Sequence, residues 1–202
     1  MPSLGYVRYP TIFQDQIVFV SEDDLWLVSS EGGRAERLTA GVSQVSHPAF
    51  SPSGEWLAFV GREEGPSEVY VMPAAGGSSE RLTFHSGSCR VLGWTPVGDE
   101  ILYASNTAQF SGRFETIYAI KLEGGEPRQL GVGMANGISY GPQGGVVLAR
   151  QPGREFSHWK RYRGGTAGHL WCDVEGNGTF QRLLQLTGNI VNPCWVGERI
   201  YF

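Results

Sequence analysis

The segment Phe50-Ser51-Pro52-Ser53-Gly54-Glu55-Trp56-Leu57-Ala58-Phe59 decides the fold, because it recurs twice further along the chain. The second copy is Trp94-Thr95-Pro96-Val97-Gly98-Asp99-Glu100-Ile101-Leu102-Tyr103. The third copy is Tyr140-Gly141-Pro142-Gln143-Gly144-Gly145-Val146-Val147-Leu148-Ala149. Degenerate copies stand near the two ends, at residues 15–19 and 198–202. Self-similarity at this kind of spacing is typical of repeat architectures.

Each copy combines an aromatic residue, a turn and a short apolar run. The aromatic residue ends one strand, and Pro at the second turn position with Gly at the fourth predicts a type I turn. The apolar run that follows is too short for a helix and is bounded by turn formers. This pattern is expected of a strand that is buried on both faces.

Two more strands follow in each repeat. The third strand is predicted at residues 24–28, 68–72, 116–120 and 169–173. A glycine-containing hairpin turn comes next, at Gly32-Gly33, Gly76-Gly77, Gly124-Gly125 and Gly176-Asn177-Gly178. The closing strand is predicted at residues 36–39, 80–83, 128–130 and 184–187.

Four strands in each repeat predict an all-β fold, a β-propeller built of four-stranded antiparallel blades. One blade cannot bury both of its faces, so neighbouring blades must stack. The predicted blades span residues 6–40, 41–84, 85–131 and 132–188, and a fifth begins at 189–202. Four blades and part of a fifth leave edge strands open, so we expect the chain to be a fragment of a longer protein.

Composition narrows the function classes. The 202 residues carry a formal net charge of −4, which argues against a dedicated nucleic-acid-binding protein. The cysteines Cys89, Cys172 and Cys194 form no C-x-x-C pair, and such a sparse, odd set suits a reducing compartment. The sequence has no signal-peptide core and no apolar run of membrane-spanning length. We therefore expect a cytoplasmic chain with no nucleic-acid or membrane partner.

Two strings resemble catalytic or cofactor motifs, and we interpret both as structural. Residues 137–141 match the G-x-S-x-G nucleophile elbow around Ser139, but the elbow requires a helix after the turn and a strand is predicted there. Residues 131–137 come close to a dinucleotide fingerprint, but the last glycine is one residue late and no βαβ unit surrounds it. We expect residues 131–137 to form a loop between blades.

No metal site or cofactor site is predicted. The four histidines, which are His47, His85, His158 and His169, show no metal-ligand spacing on a single element. Structural or surface roles are expected for them. The acidic run at residues 22–24 is interpreted as a solvated hairpin turn, in preference to a calcium site. The sequence thus predicts no catalytic residue in this chain.

The stretch at residues 158–163 has the best claim to a function. It places Lys160, Arg161 and Arg163 between the aromatic residues Trp159 and Tyr162. Such cations could hold a peptide carboxylate by charge and bidentate geometry. They could also stack on nucleobases, or the loop could only pack against another domain or subunit with Arg on aromatic faces. We predict these five residues to form a peptide-path or interface site.

The repeat resembles the bacterial WD40-like propeller repeat, and the 158–171 stretch resembles the fourth-blade insertion of the tricorn proteases. Residues 9–12 with 17–26 resemble the first blade of that family, and residues 196–202 its entry to the fifth blade. The resemblance implies a six-bladed propeller, of which about four and a half blades are present. It also implies that a second propeller, a PDZ domain and a serine-peptidase domain follow.

By that resemblance, the parent protein would cut oligopeptides and assemble as a hexamer, and this propeller would guide or gate peptides without doing chemistry. Its partners would be oligopeptide substrates and its own C-terminal protease domains. Two alternatives remain open from the sequence. One is a non-enzymatic propeller that binds a protein partner as a scaffold. The other is the propeller of a prolyl-oligopeptidase-type enzyme, which would not be expected to carry the stretch from Trp159 to Thr166.

Overall fold

The computed structural model describes residues 5–41, 44–63, 65–150, 167–183 and 189–202. Over these residues the chain forms four antiparallel sheets of four strands and one sheet of two strands. In each four-stranded sheet the strands are hydrogen-bonded in sequence order. This arrangement confirms the all-β prediction and the four-stranded antiparallel blades.

The strands of the first two sheets are as follows. Sheet 1 contains β1 (Arg8–Phe13), β2 (Gln16–Ser21), β3 (Asp24–Ser29) and β4 (Glu36–Arg37). Sheet 2 contains β5 (Ser46–Phe50), β6 (Trp56–Gly61), β7 (Glu68–Pro73) and β8 (Glu80–Arg81).

The remaining strands complete the blade series. Sheet 3 contains β9 (Cys89–Trp94), β10 (Glu100–Ser105), β11 (Thr116–Lys121) and β12 (Arg128–Met134). Sheet 4 contains β13 (Gly137–Tyr140), β14 (Val146–Arg150), β15 (His169–Asp173) and β16 (Gln181–Arg182). The two-stranded sheet 5 contains β17 (Cys194–Val196) and β18 (Arg199–Tyr201).

The chain divides into two compact units. The first contains Met1–Tyr103 with Ala119–Arg128, and the second contains Ala104–Tyr118 with Gln129–Phe202. In the first unit, alternate residues of sheets 1 and 2 form a common core. Its members are Val18, Val20, Leu25, Val45, Leu57, Phe59, Tyr70, Met72 and Ala74. In the second unit, the core joins sheets 4 and 5 through Val147, Ala149, Leu170, Cys172 and Ile190, with Leu183, Trp195 and Ile200 packed against it.

The predicted turn forms in the first two copies of the repeat and differs in the third. The N–H of Gly54 donates to the carbonyl of Ser51 at 2.9 Å, and Gly98 donates to Thr95 at the same distance. In the third copy, the turn bond runs from Gly145 to Pro142, one residue later than predicted. A short 3₁₀ turn, Pro142–Gly144, occupies this position.

The closing strand of the fourth blade was predicted at the wrong place. The structure forms it at Gln181–Arg182, where Trp171 pairs with Arg182. The N–H of Leu183 then donates to the carbonyl of Leu170 at 3.0 Å. Residues 184–187, where the sequence placed this strand, lie outside the described residues. The carboxylate of Asp173 accepts the N–H of Gly178 at 2.6 Å and stabilises the connection before this strand, residues 174–180.

Candidate functional site

The predicted site at Trp159, Lys160, Arg161, Tyr162 and Arg163 lies outside the described residues, as does His158. It therefore stays a prediction. The site belongs to the connection between β14 and β15. At the start of that connection, Arg150 Nη2 donates to the carbonyl of Val132 at 2.9 Å, and its guanidinium carbon lies 5.3 Å from the Trp171 ring centre. The end of β14 is thus anchored to β12 and β15.

The connection between the second and third strands lengthens from one sheet to the next. In sheet 1 it is only Glu22 and Asp23, in sheet 2 it is residues 62–67, and in sheet 3 it is residues 106–115. The corresponding connection of sheet 4 is residues 151–168, which include the predicted site. The variation shows that a blade of this repeat needs no more than a tight hairpin here. The longer connections are additions that the blade core does not require.

The 106–115 connection presents an aromatic side chain to solvent. Phe110 is 92% exposed, and the centre of its ring lies 6.1 Å from that of Phe114. Arg113 lies between them in the sequence and is also exposed. An aromatic residue beside a cation repeats the chemistry predicted for residues 158–163. The sequence reasoning did not single out Phe110, although a phenylalanine between turn formers in a long strand connection was a readable signal.

Hydrogen bonds within the connection fix its shape. The N–H of Gln109 donates to the carbonyl of Asn106 at 3.0 Å, and the N–H of Phe114 donates to that of Ser111 at 3.2 Å. The side-chain amide of Gln109 also donates to Thr116 Oγ1 at 3.4 Å, which ties the connection to the first residue of β11. These bonds position Phe110 on a defined loop.

A second polar cluster lies on the first strands of sheets 1 and 2. Tyr9 and His47 each precede a proline and adopt left-handed backbone conformations, with φ of 51° and 49°. Each lies in a register irregularity of its strand. Their ring centres are 4.2 Å apart. The guanidinium of Arg8 lies 5.7 Å from the Tyr9 ring and 3.8 Å from the Asp23 carboxylate.

His47 is neutral in this cluster at physiological pH. Burial lowers the pKa of His47 to about 4, and the charge of Arg90 acts in the same direction. The imidazole thus stays uncharged, because burial and the nearby positive charge of Arg90 both disfavour the protonated form. The sequence had assigned His47 a structural role, and the structure gives it the packing position against Tyr9 just described.

The buried acid Glu68 joins the third strand of sheet 2 to residues beyond the fourth. Its carboxylate accepts a hydrogen bond from the Thr83 hydroxyl at 2.5 Å and lies 3.2 Å from Arg81 Nη2. The same hydroxyl accepts the N–H of Val69 at 2.8 Å. His85 Nδ1 lies 3.8 Å from the carboxylate. A carboxylate with these partners acts as a structural group within the blade.

Sheet 1 contains an equivalent arrangement of an acid, a threonine and an arginine, and sheet 4 contains an altered one. In sheet 1, Asp24 accepts a hydrogen bond from Thr39 at 2.9 Å and lies 2.6 Å from Arg37 Nη2. In sheet 4, His169 replaces the acid, and its Nδ1 lies 2.9 Å from Arg182 Nη2. Burial and then the charge of Arg182 lower the pKa of His169. The imidazole accordingly accepts a hydrogen bond from the guanidinium.

Ser139 has a structural partner. Its hydroxyl oxygen accepts the N–H of Trp195 at 2.9 Å, which joins β13 to β17. The residues after Ser139 form the short 3₁₀ turn and then β14, so the strand–turn–helix geometry of a nucleophile elbow is not formed. The predicted loop at 131–137 was wrong, because residues 131–134 belong to β12 and Gly137 begins β13. Within β12, Gly133 has a φ of 73°, a left-handed conformation that favours glycine.

Within the described part of the chain, no group of three or more His, Cys, Asp or Glu side chains is arranged to hold a metal ion. Glu22 and Asp23 form the predicted hairpin turn, with φ of 50° and 65°. Cys89 and Cys172 are buried free thiols, and Cys194 is an exposed one. No helix among the described residues is long and apolar enough to cross a membrane.

Comparison with known protein families identifies the chain. The family model of the tricorn protease N-terminal β-propeller domain matches residues 4–202. The chain belongs to this family. The tricorn family assignment accounts for the repeat and covers the 158–163 stretch as well.

Two relatives in the tricorn family differ in how much of their length this chain covers. The chain is 44% identical over 201 residues to tricorn protease homolog 1 of Streptomyces coelicolor, covering 98% of this chain and 19% of that protein. It is 27% identical to a protein of Sulfurisphaera tokodaii named a putative tricorn-like protease N-terminal subunit, covering 87% of this chain and 90% of that protein. The chain therefore spans about a fifth of the first relative and nearly all of the second.

A solved structure supports the same assignment. The crystal structure of the tricorn protease matches 98% of this chain with a TM-score of 0.86 and 27% sequence identity, and the match covers 20% of that protein's chain. The four-stranded sheets described above are thus blades of a tricorn-type β-propeller. The chain contains four of them and the first strands of a fifth, as the sequence predicted.

Proposed function

We propose that this chain is the non-catalytic N-terminal propeller of a serine peptidase that degrades oligopeptides. In that protein it guides or gates peptides toward a catalytic domain and supports assembly as a cytoplasmic homo-oligomer, a hexamer by family resemblance. The observation that carries the proposal is the tricorn family match across residues 4–202, combined with relatives about five times longer than this chain.

The polar side chains of the described residues support a non-catalytic role. Ser139 accepts a backbone hydrogen bond from Trp195, and Glu68 is bonded to Thr83 and Arg81. A nucleophile requires a general base within hydrogen-bond reach, and a general acid requires access to the substrate. Groups engaged in holding blades together meet neither requirement. The chemistry therefore belongs to a part of the protein outside this chain.

The guiding role is assigned to Trp159, Lys160, Arg161, Tyr162 and Arg163. Guanidinium groups bind carboxylates through two parallel hydrogen bonds, and aromatic rings pack on apolar peptide side chains. A peptide offers both features, since it ends in a carboxylate and carries side chains. The chain as a whole is acidic, with a net charge of −4, so most of its surface does not attract anions. A local cationic stretch is therefore a place where an anionic group binds selectively.

The test replaces Lys160, Arg161 and Arg163 together by alanine in the full-length protein. A matched control replaces three exposed cations elsewhere, Arg34, Lys121 and Arg199. Hydrolysis of a series of peptides of increasing length is measured as kcat/KM. We expect the first variant to lose kcat/KM, mainly through KM, and the control variant to retain it.

The oligomeric state of both variants is measured by sedimentation velocity under the assay conditions. A loss of kcat/KM without a change of oligomeric state supports the peptide path. Unchanged kinetics in the first variant, or a full-length protein that hydrolyses no peptide, contradicts the proposed function.

A further inference from the structure

The exposed ring of Phe110 requires a physical explanation. Burial of a phenylalanine side chain is favourable relative to exposure, so a ring left 92% exposed forgoes that stabilisation. The equivalent connections of sheets 1 and 2 contain no aromatic residue. The ring is thus not a requirement of the blade repeat. An exposed aromatic side chain on a defined loop is available to contact a partner surface.

The loop is built to present the ring. The hydrogen bonds of Gln109 to Asn106 and of Phe114 to Ser111 fix the backbone on both sides of Phe110. The ring of Phe114, which is partly buried, lies behind it at 6.1 Å with an interplanar angle of 41°. An aromatic side chain held by a fixed loop loses little conformational entropy when it binds, which is typical of an interface anchor.

The charge of the loop restricts its partner. Residues 106–115 contain one exposed cation, Arg113, and one acidic residue, Glu115, which is buried. The N–H of Arg113 is bonded to Ser111 Oγ at 3.4 Å, so the position of this residue is also defined. An exposed ring and an exposed guanidinium, three residues apart in one loop, fit an apolar pocket with a carboxylate at its rim. Arg and aromatic residues are the side chains that most often supply binding energy in protein interfaces.

The lengths of two relatives favour the rest of the protease as the partner that carries this pocket. This chain covers 19% of the Streptomyces coelicolor relative but 90% of the Sulfurisphaera tokodaii protein that is named an N-terminal subunit. A propeller made as a separate chain can reach the rest of a protease only through its surface. The same surface would be retained where the two parts are joined in one polypeptide.

We propose that Phe110 and Arg113 form a docking anchor that inserts into an apolar, acid-rimmed pocket on the remaining portion of the same protease. This inference rests on the proposed function, because it requires a protease portion beyond this chain. It assigns the 106–115 connection to domain docking, whereas the 158–163 stretch is assigned to the peptide path.

Hydroxyl-radical footprinting of the full-length protein tests the docking anchor. The oxidation rate of Phe110 is measured by mass spectrometry in the native protein and in the same protein unfolded in urea. We expect native Phe110 to be oxidised several-fold more slowly, without added peptide and independently of protein concentration. In the variant Phe110→Asp, the full-length protein should be cleaved faster in limited proteolysis than the natural protein. Val97→Ala is the matched control, since Val97 is 85% exposed in a turn between strands.

The other outcomes overturn the docking anchor. Equal oxidation rates in the native and unfolded protein mean that nothing covers the ring. Protection that requires added peptide assigns Phe110 to substrate binding, and protection that increases with protein concentration assigns it to a second copy. Peptide hydrolysis is measured on the same preparation. If hydrolysis is present while Phe110 is unprotected, the docking inference fails and the proposed function stands.

Discussion

The N–H of Trp195 donates to the hydroxyl oxygen of Ser139 at 2.9 Å, and the indole of Trp195 packs on the turn that follows Ser139. A Cβ atom added to Gly141 would lie 2.2 Å from this indole, and one added to Gly145 would lie 2.8 Å from it. The serine that resembles a nucleophile in the sequence is therefore part of the junction between β13 and β17. This junction joins the fourth blade to the start of the fifth.

Ser139→Ala should weaken the junction while the protein stays folded. The substitution leaves the N–H of Trp195 without its partner, which should cost about 1 kcal/mol of local opening free energy. Hydrogen exchange of the Trp195 amide in the full-length protein, followed by mass spectrometry, measures this cost as faster exchange. Amides of β6 serve as the internal reference. Unchanged exchange at Trp195 would show that the hydrogen bond contributes nothing.

Gly141→Ala should destabilise the same junction more strongly. The backbone of Gly141 has a φ of −108°, which alanine adopts freely, so the only conflict is between the new methyl group and the Trp195 ring. Overpacking of this kind costs about 1–3 kcal/mol. The control is Gly131→Ala, because a Cβ atom at Gly131 meets nothing within 4 Å. Exchange across β17 is the readout, and equal exchange in the two variants would contradict the packing described.

The behaviour of the third turn shows what the repeat could and could not predict. Pro and Gly at fixed positions correctly predicted the turns that end at Gly54 and Gly98, since those turns depend on local backbone preferences. The same pattern was wrong at Pro142, where a tryptophan more than fifty residues away in the sequence packs on the turn. Sequence reasoning reads local propensity, and a distant ring in contact with a glycine leaves no local signal.

Glu68→Gln should destabilise the second blade. The Glu68 side chain is only 2% exposed, and removal of its charge breaks the ion pair between Glu68 and Arg81. Breaking a buried pair by changing one member costs about 3 kcal/mol. Hydrogen exchange of the β7 amides in the full-length protein measures the loss of stability. We expect these amides to exchange faster in the variant.

An ion pair with a solvent-exposed arginine provides the control for Glu68→Gln. Arg128, whose side chain is 60% exposed, lies 2.5 Å from Glu100, whose side chain is 15% exposed. Exposed pairs contribute about 0–1 kcal/mol, so Glu100→Gln should have a small effect. If the two variants changed amide exchange equally, the distinction between the buried carboxylate of Glu68 and the pair with the exposed Arg128 would be wrong.

His47 should make the first two blades less stable in acid. Its pKa falls from the ordinary 6.5 to about 4 in the folded protein, because the charged form is poorly solvated there. As the pH decreases, the imidazole therefore binds a proton at a higher pH in the unfolded protein than in the folded protein. The stabilising contribution is complete above pH 6.5 and is lost between pH 6.5 and pH 4. Its size is on the order of 3 kcal/mol.

The variant His47→Asn isolates this contribution. Asn192 adopts a φ of 52° immediately before a proline, so asparagine tolerates the backbone conformation of His47. The opening free energy of β5 and β6 is measured between pH 7.5 and pH 5 from hydrogen exchange, corrected for intrinsic exchange rates. We expect a decrease at low pH in the natural protein and a flatter profile in the variant. The same decrease in both would assign the acid sensitivity to other groups.

The candidate site was predicted less completely than the fold. The cationic stretch at 158–163 stands out in the sequence, because charge and aromatic residues are concentrated there. Phe110 was missed, since a single phenylalanine in a sequence rich in apolar strands looks like a core residue. Its position between turn formers in a long strand connection was a signal in the sequence, and its 92% exposure in the structure shows that it is not a core residue. Solvent exposure depends on the three-dimensional packing of the loop, and periodicity does not report it.

The central claim is that this propeller does no chemistry within a larger serine peptidase. Covalent labelling of the full-length protein with a fluorophosphonate probe, followed by digestion and mass spectrometry, tests it most directly. We predict a labelled serine in a peptide that lies beyond residue 202, with Ser139 unmodified. Labelling of Ser139, or a full-length protein that takes up no label, would contradict the account.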